Sequence, residues 1–197
     1  MAAIRLVQAS DAEQMLAIYA PFIKESSTTF ELEVPTIEQL QQRIGTISEH
    51  APWLVCEIEG EILGYAYASK HRQRAAYQWS VESSVYVGAK LRRKGVGKAL
   101  YSSLFQLLQL QGFYNVYAGI TLPNLASVAL HENLGFSHIG TYELVGYKLG
   151  KWHDVGWWQL SLQSERSVPV SPLSLGKVQN SSQWQIALSS GLSWLRV

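Results

Sequence analysis

Cysteine is almost absent from this sequence. The one copy, Cys56, lies inside the apolar run WLVCEIEG. A lone thiol excludes an internal disulfide framework and a cysteine-built zinc site, and in such a run it reads as a small core side chain. An excess of either charge is missing too: 16 Lys and Arg stand against 15 Asp and Glu, a formal net charge of +1. With no global field to draw in nucleic acid or an anionic membrane, any basic cluster acts locally, and no nucleic-acid partner is expected. Long hydrophobic runs are also lacking. No stretch approaches the roughly 18 apolar residues that cross a bilayer. The opening MAAIRLVQASDAEQ is broken by Arg5 and Asp11, where a signal peptide needs an unbroken apolar core. These absences predict a cytoplasmic protein with no membrane partner, and no internal repeat is found.

What the chain does have is apolar mass. Hydrophobic residues make up 47% of its 197 residues and charged residues 16%, with 7 Trp and 10 Tyr, enough to bury one core and short of two. AIRLVQA alternates as a half-buried strand does, and Ser10 with Glu13 forms a capping-box pattern ahead of the helical AEQMLAIYAPFI. Thr36 with Gln39 repeats that signal before IEQLQQRIGTI, whose end Gly45 weakens. PWLVCEIEG and EILGYAYASK are strands joined by a hairpin signal at Glu59-Gly60, and AYQWSVESSVYVG continues the meander. From Val96 the apolar spacing turns helical as far as Gly112; YNVYAGIT returns to strand. NLASVALHENLG is a helix between Asn124 and Gly135, and two closing strands follow. The predicted order is β-α-α-β-β-β-α-β-α-β-β over a domain spanning 1–163. Residues 164–197 turn to Ser, Pro and Gln and read as an appended tail, weakly structured or docked.

The most informative stretch is LRRKGVGKAL, residues 91–100. A helix N-terminus presents unpaired N–H groups and a positive dipole end, and glycines admit a phosphate close to the backbone, so a pyrophosphate fits. The spacing excludes two common nucleotide motifs. A P-loop needs glycine where Arg92 stands and Ser or Thr where Ala99 stands; the dinucleotide fingerprint needs glycine at Leu100 and a βαβ setting.

What remains, Arg-x-x-Gly-x-Gly after a strand and opening a helix, resembles the acyl-CoA motif of the GNAT family of N-acetyltransferases, over residues 3 to 162. WSVESSVYV, LPNLASVALHENLGF, GYKLGKWHDVGWWQ and IYAPFIKESSTTFE narrow the resemblance to the phosphinothricin and methionine sulfoximine N-acetyltransferases. The resemblance implies one α/β (α+β type) domain with a mixed, mostly antiparallel sheet flanked by helices. It implies acetyl-CoA as co-substrate, no metal, a small amine substrate and a homodimer.

It also implies residue roles. Glu82, the sole acid between Tyr77 and Gly88, is the candidate base for the amine; the alternative is an outward glutamate paired with a cation. Backbone groups of Val85, Tyr86 and Val87 would pair with the pantetheine arm. Arg92, Arg93, Lys94, Gly95, Val96, Gly97 and Lys98 would wrap the pyrophosphate, and Asn124 would reach the pantetheine, cap its helix, or both. His131 stands where most members carry a tyrosine, as a general acid or as a core histidine. Arg72 and Arg74, on one face if extended, would hold a substrate carboxylate unless both are solvated, with Tyr77 and Phe30 lining the pocket. His153 and Asp154 point to opposite faces of a strand and read as structural. Two other functions stay open: a family member acting on another free amino acid, a polyamine or a protein N-terminus, and a CoA-binding sensor without turnover.

Overall fold

The computed structural model describes residues 2–164 and 168–196; Met1 of the expected domain and residues 165–167 and 197 of the expected tail lie outside them. Strand β1 (Ala2–Leu6) leads into helices α1 (Ala12–Glu25) and α2 (Ile37–Ser48), then strands β2 (Trp53–Ile58), β3 (Glu61–Lys70) and β4 (Ser80–Val87). Helix α3 (Val96–Gln111), strand β5 (Asn115–Thr121), helix α4 (Leu125–Glu132) and strands β6 (Ser137–Lys148) and β7 (Lys151–Ser161) complete the order read from the sequence. Two short helices follow, α5 (Leu175–Gln179) and α6 (Trp184–Ser189).

The helix starts show how side chains settle the boundaries. Thr36 caps α2 as expected: its side chain accepts from Gln39 N (3.2 Å), and Gln39 Oε1 accepts from Thr36 N (2.8 Å). Ser10 does not cap α1. Asp11 holds the N-cap position without a side-chain bond to α1: its carboxylate turns back to accept a fork from Arg5 (2.7 and 2.9 Å) and Gln8 N (2.7 Å), which fixes the 3-10 turn over Ala9–Asp11 that precedes the helix. Gly45 does not end α2, which runs on to Ser48. The Glu59–Gly60 hairpin has both residues at positive φ (51° and 85°), the conformation that matches the twist of the flanking strands.

The seven strands form one sheet in the order β1-β2-β3-β4-β5-β7-β6. Neighbours are antiparallel except β4 and β5, which pair in parallel over three residues only, Ser80↔Asn115, Val81↔Val116 and Glu82↔Tyr117. Beyond Glu82 the two strands part, while β4 keeps its ladder with β3 as far as Val87↔Gly64. Alternation along β4 sorts its side chains between two cores. Val81, Val85 and Val87 face α3 and α4 with Leu100, Leu104 and Val116, whereas Tyr86 faces α1 and α2 with Met15, Tyr19 and Tyr65.

Residues 168–196 pack back on the domain. Leu175, Val178, Trp184 and Ala187 are buried in the α3-side core, and Ser103 Oγ on α3 donates to Leu188 O (2.8 Å) and accepts from Gly191 N (3.1 Å). Gln111 Nε2 adds a bond to Leu173 O (3.0 Å). Serines and prolines hid this in the sequence, since the apolar residues that anchor the segment fall singly among them.

Candidate active site

The turn that opens α3 has the shape an anion requires. Arg93 (φ 64°) and Gly95 (φ 81°) both sit in the left-handed region, which curls successive backbone N–H groups toward one side. A non-glycine residue held at positive φ is strain of the kind functional loops carry. The first intrahelical bond runs from Ala99 N to Gly95 O (2.8 Å), so the N–H groups of Val96, Gly97 and Lys98 precede it at the positive end of a 16-residue helix. Arg92, Arg93 and Lys94 are exposed around them. A Cβ added at Gly97 would stand 3.3 Å from the Leu130 side chain and near Val87 and Val85. Gly97 therefore lets α3 approach α4 over the parted end of β4. A pyrophosphate fits this cradle: cations, free donors and backbone access coincide.

On the open side of β4, residues 83–87 have no strand partner toward β5, and because Ser80 O and Gly88 N both bond toward β3, alternation leaves the backbone groups of Val85 and Val87 to meet an extended ligand. Tyr86 is not part of that edge: its side chain is buried against Tyr19 (centroids 4.7 Å) and Phe22 (5.3 Å), and its backbone groups face β3, as those of Ser80 and Gly88 do. Asn124 is the cap of α4, its Oδ1 accepting from Ser127 N (3.1 Å).

Glu82 is the last paired residue before the strands part, and it has company. His71 Nδ1 donates to its Oε1 (2.9 Å), and Arg72 Nη1 donates to the same atom (3.1 Å) and to His71 O (2.8 Å). The His71 ring stacks on Tyr117 (4.4 Å), with Tyr77 (5.9 Å) and Trp157 (6.3 Å) edge-on. Arg72 and Arg74 are not held as a strand pair, because β3 ends at Lys70 and the chain bends over 71–74 before a 3-10 helix at Ala75–Tyr77 with Arg74 as its N-cap. Arg72 reaches Glu82, and Arg72, Arg74 and Tyr77 together line a cavity of about 360 Å³ with His50, Lys70 and Leu173. Phe30 packs on the β6–β7 hairpin, covering Gly146, where a Cβ would meet its ring at 2.2 Å, and tilting against His153 (6.2 Å).

His131 is placed against the acid role. It is 3% exposed, ringed edge-on by Tyr101 (5.3 Å) and Phe136 (5.0 Å), and its Nδ1 donates to Ser127 O (2.8 Å). Burial lowers its pKa. A neutral ring with its one proton committed to a carbonyl leaves Nε2 a bare acceptor, which has no proton to give. His153 and Asp154 are structural: Nε2 of the first donates to Lys148 O (3.0 Å), and Oδ1 of the second accepts from Leu144 N (2.7 Å).

Residue reading alone missed three groups. His71 hides in the basic run KHRQR, where only the pairing of β3 with β4 shows its partner. Lys148, 4% exposed, donates to Thr29 O (2.7 Å) and ties the loop after α1 to the hairpin. Trp194 carries the ammonium of Lys98 3.4 Å above its ring. Among the described residues no group of three His, Cys, Asp or Glu is placed to hold a metal, and no helix is long and apolar enough to cross a membrane.

A strand pair that parts above a carboxylate, followed by an anion-holding turn at a helix N-terminus, is the architecture of an acyltransferase that draws its acyl group from a nucleotide thioester. The chain belongs to the GNAT acetyltransferases: the Acetyltransferase (GNAT) domain matches residues 4–157. It is 42% identical to phosphinothricin N-acetyltransferase of Streptomyces viridochromogenes over 172 residues, 87% of this chain and 94% of that protein. It is 34% identical to the L-methionine sulfoximine/L-methionine sulfone acetyltransferase of Pseudomonas aeruginosa over 170 residues, 85% of this chain and 99% of that one. Its fold superposes with a TM-score of 0.83 on a GNAT superfamily phosphinothricin acetyltransferase from Sinorhizobium meliloti in complex with acetyl-CoA, at 34% identity over 87% of this chain and 95% of that one.

Proposed function

We propose that this protein acetylates the α-amino group of a small amino-acid analogue of the phosphinothricin or methionine sulfoximine type, with acetyl-CoA as donor. The observation that carries this reading is the position of Glu82, a carboxylate at the point where β4 and β5 separate. Its support comes from relatives that bear those substrates in their names.

A free α-amino group titrates near about 8 and is largely protonated at neutral pH, so it needs a base before it attacks. Glu82 takes that proton, directly or through one water, while His71 and Arg72 hold its carboxylate in one orientation. Acetyl-CoA supplies an activated acetyl thioester. Residues 92–98 hold its pyrophosphate, Asn124 and the open edge at Val85 and Val87 hold the arm, and a backbone N–H of that edge polarises the carbonyl. Tyr77, Tyr117 and Trp157 wall the amine side, and Phe30 on its hairpin-bound loop is assigned to the same pocket. Protonation of the leaving thiolate is not assigned to His131. Arg74, which lines one cavity with Arg72 and Tyr77 and makes no bond to Glu82, is assigned to the substrate carboxylate. Acetyl-CoA is an intracellular metabolite, which supports action in the cytoplasm, and the exposed apolar hairpin β6–β7 supports a homodimer.

The test is CoA thiol release from acetyl-CoA with L-methionine sulfoximine, L-phosphinothricin, common amino acids and a short peptide. Turnover with the first two is expected. Glu82→Gln should lower kcat by about 10²-fold or more, the usual worth of a positioned base, with acetyl-CoA affinity unchanged. Saturation by the peptide with no turnover of the analogues would move the substrate elsewhere, and tight donor binding without any turnover would make the protein a sensor.

A further inference from the structure

The GNAT match ends at residue 157, yet the end of the chain returns to the donor site. Three contacts join it to the turn that opens α3. Arg196 N donates to Lys94 O (2.9 Å). The Trp194 carbonyl occupies the place where a Cβ on residue 95 would stand, 2.0 Å from it, so Gly95 is required by its neighbour as well as by its φ of 81°. The Trp194 ring lies under Lys98 Nζ at 3.4 Å. Lys98 sits in the first turn of α3, where the helix dipole disfavours a cation, and the indole face offsets that and fixes the ammonium.

These contacts have a firm base. Ser103 Oγ bonds both Leu188 O and Gly191 N, and Gly191 lies so close to Ala99 O that a Cβ would be 1.9 Å from it. The segment is seated along α3 before it reaches the turn. Ahead of the bond from Ala99 N to Gly95 O, the turn is closed by a long bond from Lys94 N to Leu91 O at 3.3 Å. A loop that must present several N–H groups to one anion binds more tightly when something else has already ordered it.

We propose that the C-terminal segment is a working part of the acyl-donor site, with Trp194 and Arg196 as positioning residues that hold the turn and Lys98 in their anion-binding arrangement. This rests on the reading that residues 92–98 hold the donor's pyrophosphate. The segment touches the turn from the side of Gly95, whereas Gly97 faces Leu130 and β4, so it shapes the cradle from behind and leaves its mouth open. Its contribution therefore belongs to donor affinity and not to the amine or the chemical step.

The experiment compares four chains: the full protein, a chain ended after Ser193, Trp194→Ala and Trp194→Phe. Acetyl-CoA binding is measured by calorimetry, KM for each substrate and kcat by CoA release, and folding by thermal melting. Losing one cation–π contact and one loop bond should weaken acetyl-CoA by about tenfold in the truncated chain and somewhat less in Trp194→Ala. Amine KM and kcat at saturating donor should hold, and Trp194→Phe, which keeps a ring under Lys98, should recover most of the affinity. Unchanged donor affinity overturns the proposal. Tighter donor binding overturns it too, since the segment would then obstruct the site. A parallel loss in both KM values, kcat and melting temperature, unrelieved by Trp194→Phe, reduces the segment to a fold element. Gly97→Val separates the two levels: if it binds acetyl-CoA as well as the full protein does, the pyrophosphate assignment fails, and the segment's role with it.

Discussion

Glu82 and His131 were both candidates for moving protons, and their surroundings divide them. Glu82 is partly exposed beside two donors, where a carboxylate can reach an incoming amine. His131 is sealed in a ring of aromatic side chains with its proton given to Ser127 O. The same burial makes His131 a stability term with a definite sign. Its folded pKa lies below the ordinary value of 6.5 because desolvation disfavours the charged ring. As pH falls below about 6.5, the unfolded chain takes up a proton that the folded one refuses, so stability is lost toward acid pH. Melting curves from pH 7.5 to 5 should show the wild type losing ground against His131→Gln, whose amide can still donate to the Ser127 carbonyl. Parallel curves would mean the ring protonates freely in place. The Arg72–Glu82 contact could not be read from the sequence for a physical reason: it depends on the β3–β4 register, which sets Ser69 opposite Glu82 and Lys70 opposite Val81, and the connecting residues 71–79 carry no periodicity that fixes that register.

At the scale of elements, α3 and the turn before it are where sequence and structure agree most fully, because each requirement there falls on a particular residue type. Gly95 supplies positive φ, the apolar spacing to Leu108 supplies the buried stripe, and Gly112 at φ 89° ends the helix. The parting of β4 from β5 carried no residue signal and was legible only through the family resemblance. Gly97→Val tests what the element does. The new side chain would press on Leu130 and push α3 from α4 above the open edge of β4. Acetyl-CoA affinity should fall by well over the roughly tenfold that 1.4 kcal/mol represents, with circular dichroism unchanged, and unaltered affinity by calorimetry would refute the assignment of the turn.

For the whole molecule, the sheet ends at β6, whose outer edge has no strand partner among the described residues. Ile139, Leu144, Tyr147, Leu149 and Trp152 on the β6–β7 hairpin are each more than half exposed, and such a patch on an open edge marks an interface or an aggregation risk. Composition could not reveal this, since the same residues would serve equally well in a core. A second copy of the chain seated here would also reach the substrate side, because the hairpin carries the loop after α1: Phe30 rests on Gly146, and Lys148 holds Thr29 O. Donor and acceptor sites should then respond differently to loss of the partner. Leu144→Glu with Tyr147→Glu places two charges on the exposed strand without touching a buried side chain. Light scattering should show the mass fall from two chains to one. The amine KM should rise severalfold as the loop loosens, while acetyl-CoA KM, governed by α3 and the turn before it, stays put. A wild type already running as a single chain would dismiss the dimer, and a lower mass with both KM values unchanged would keep the dimer and cut its link to the pocket.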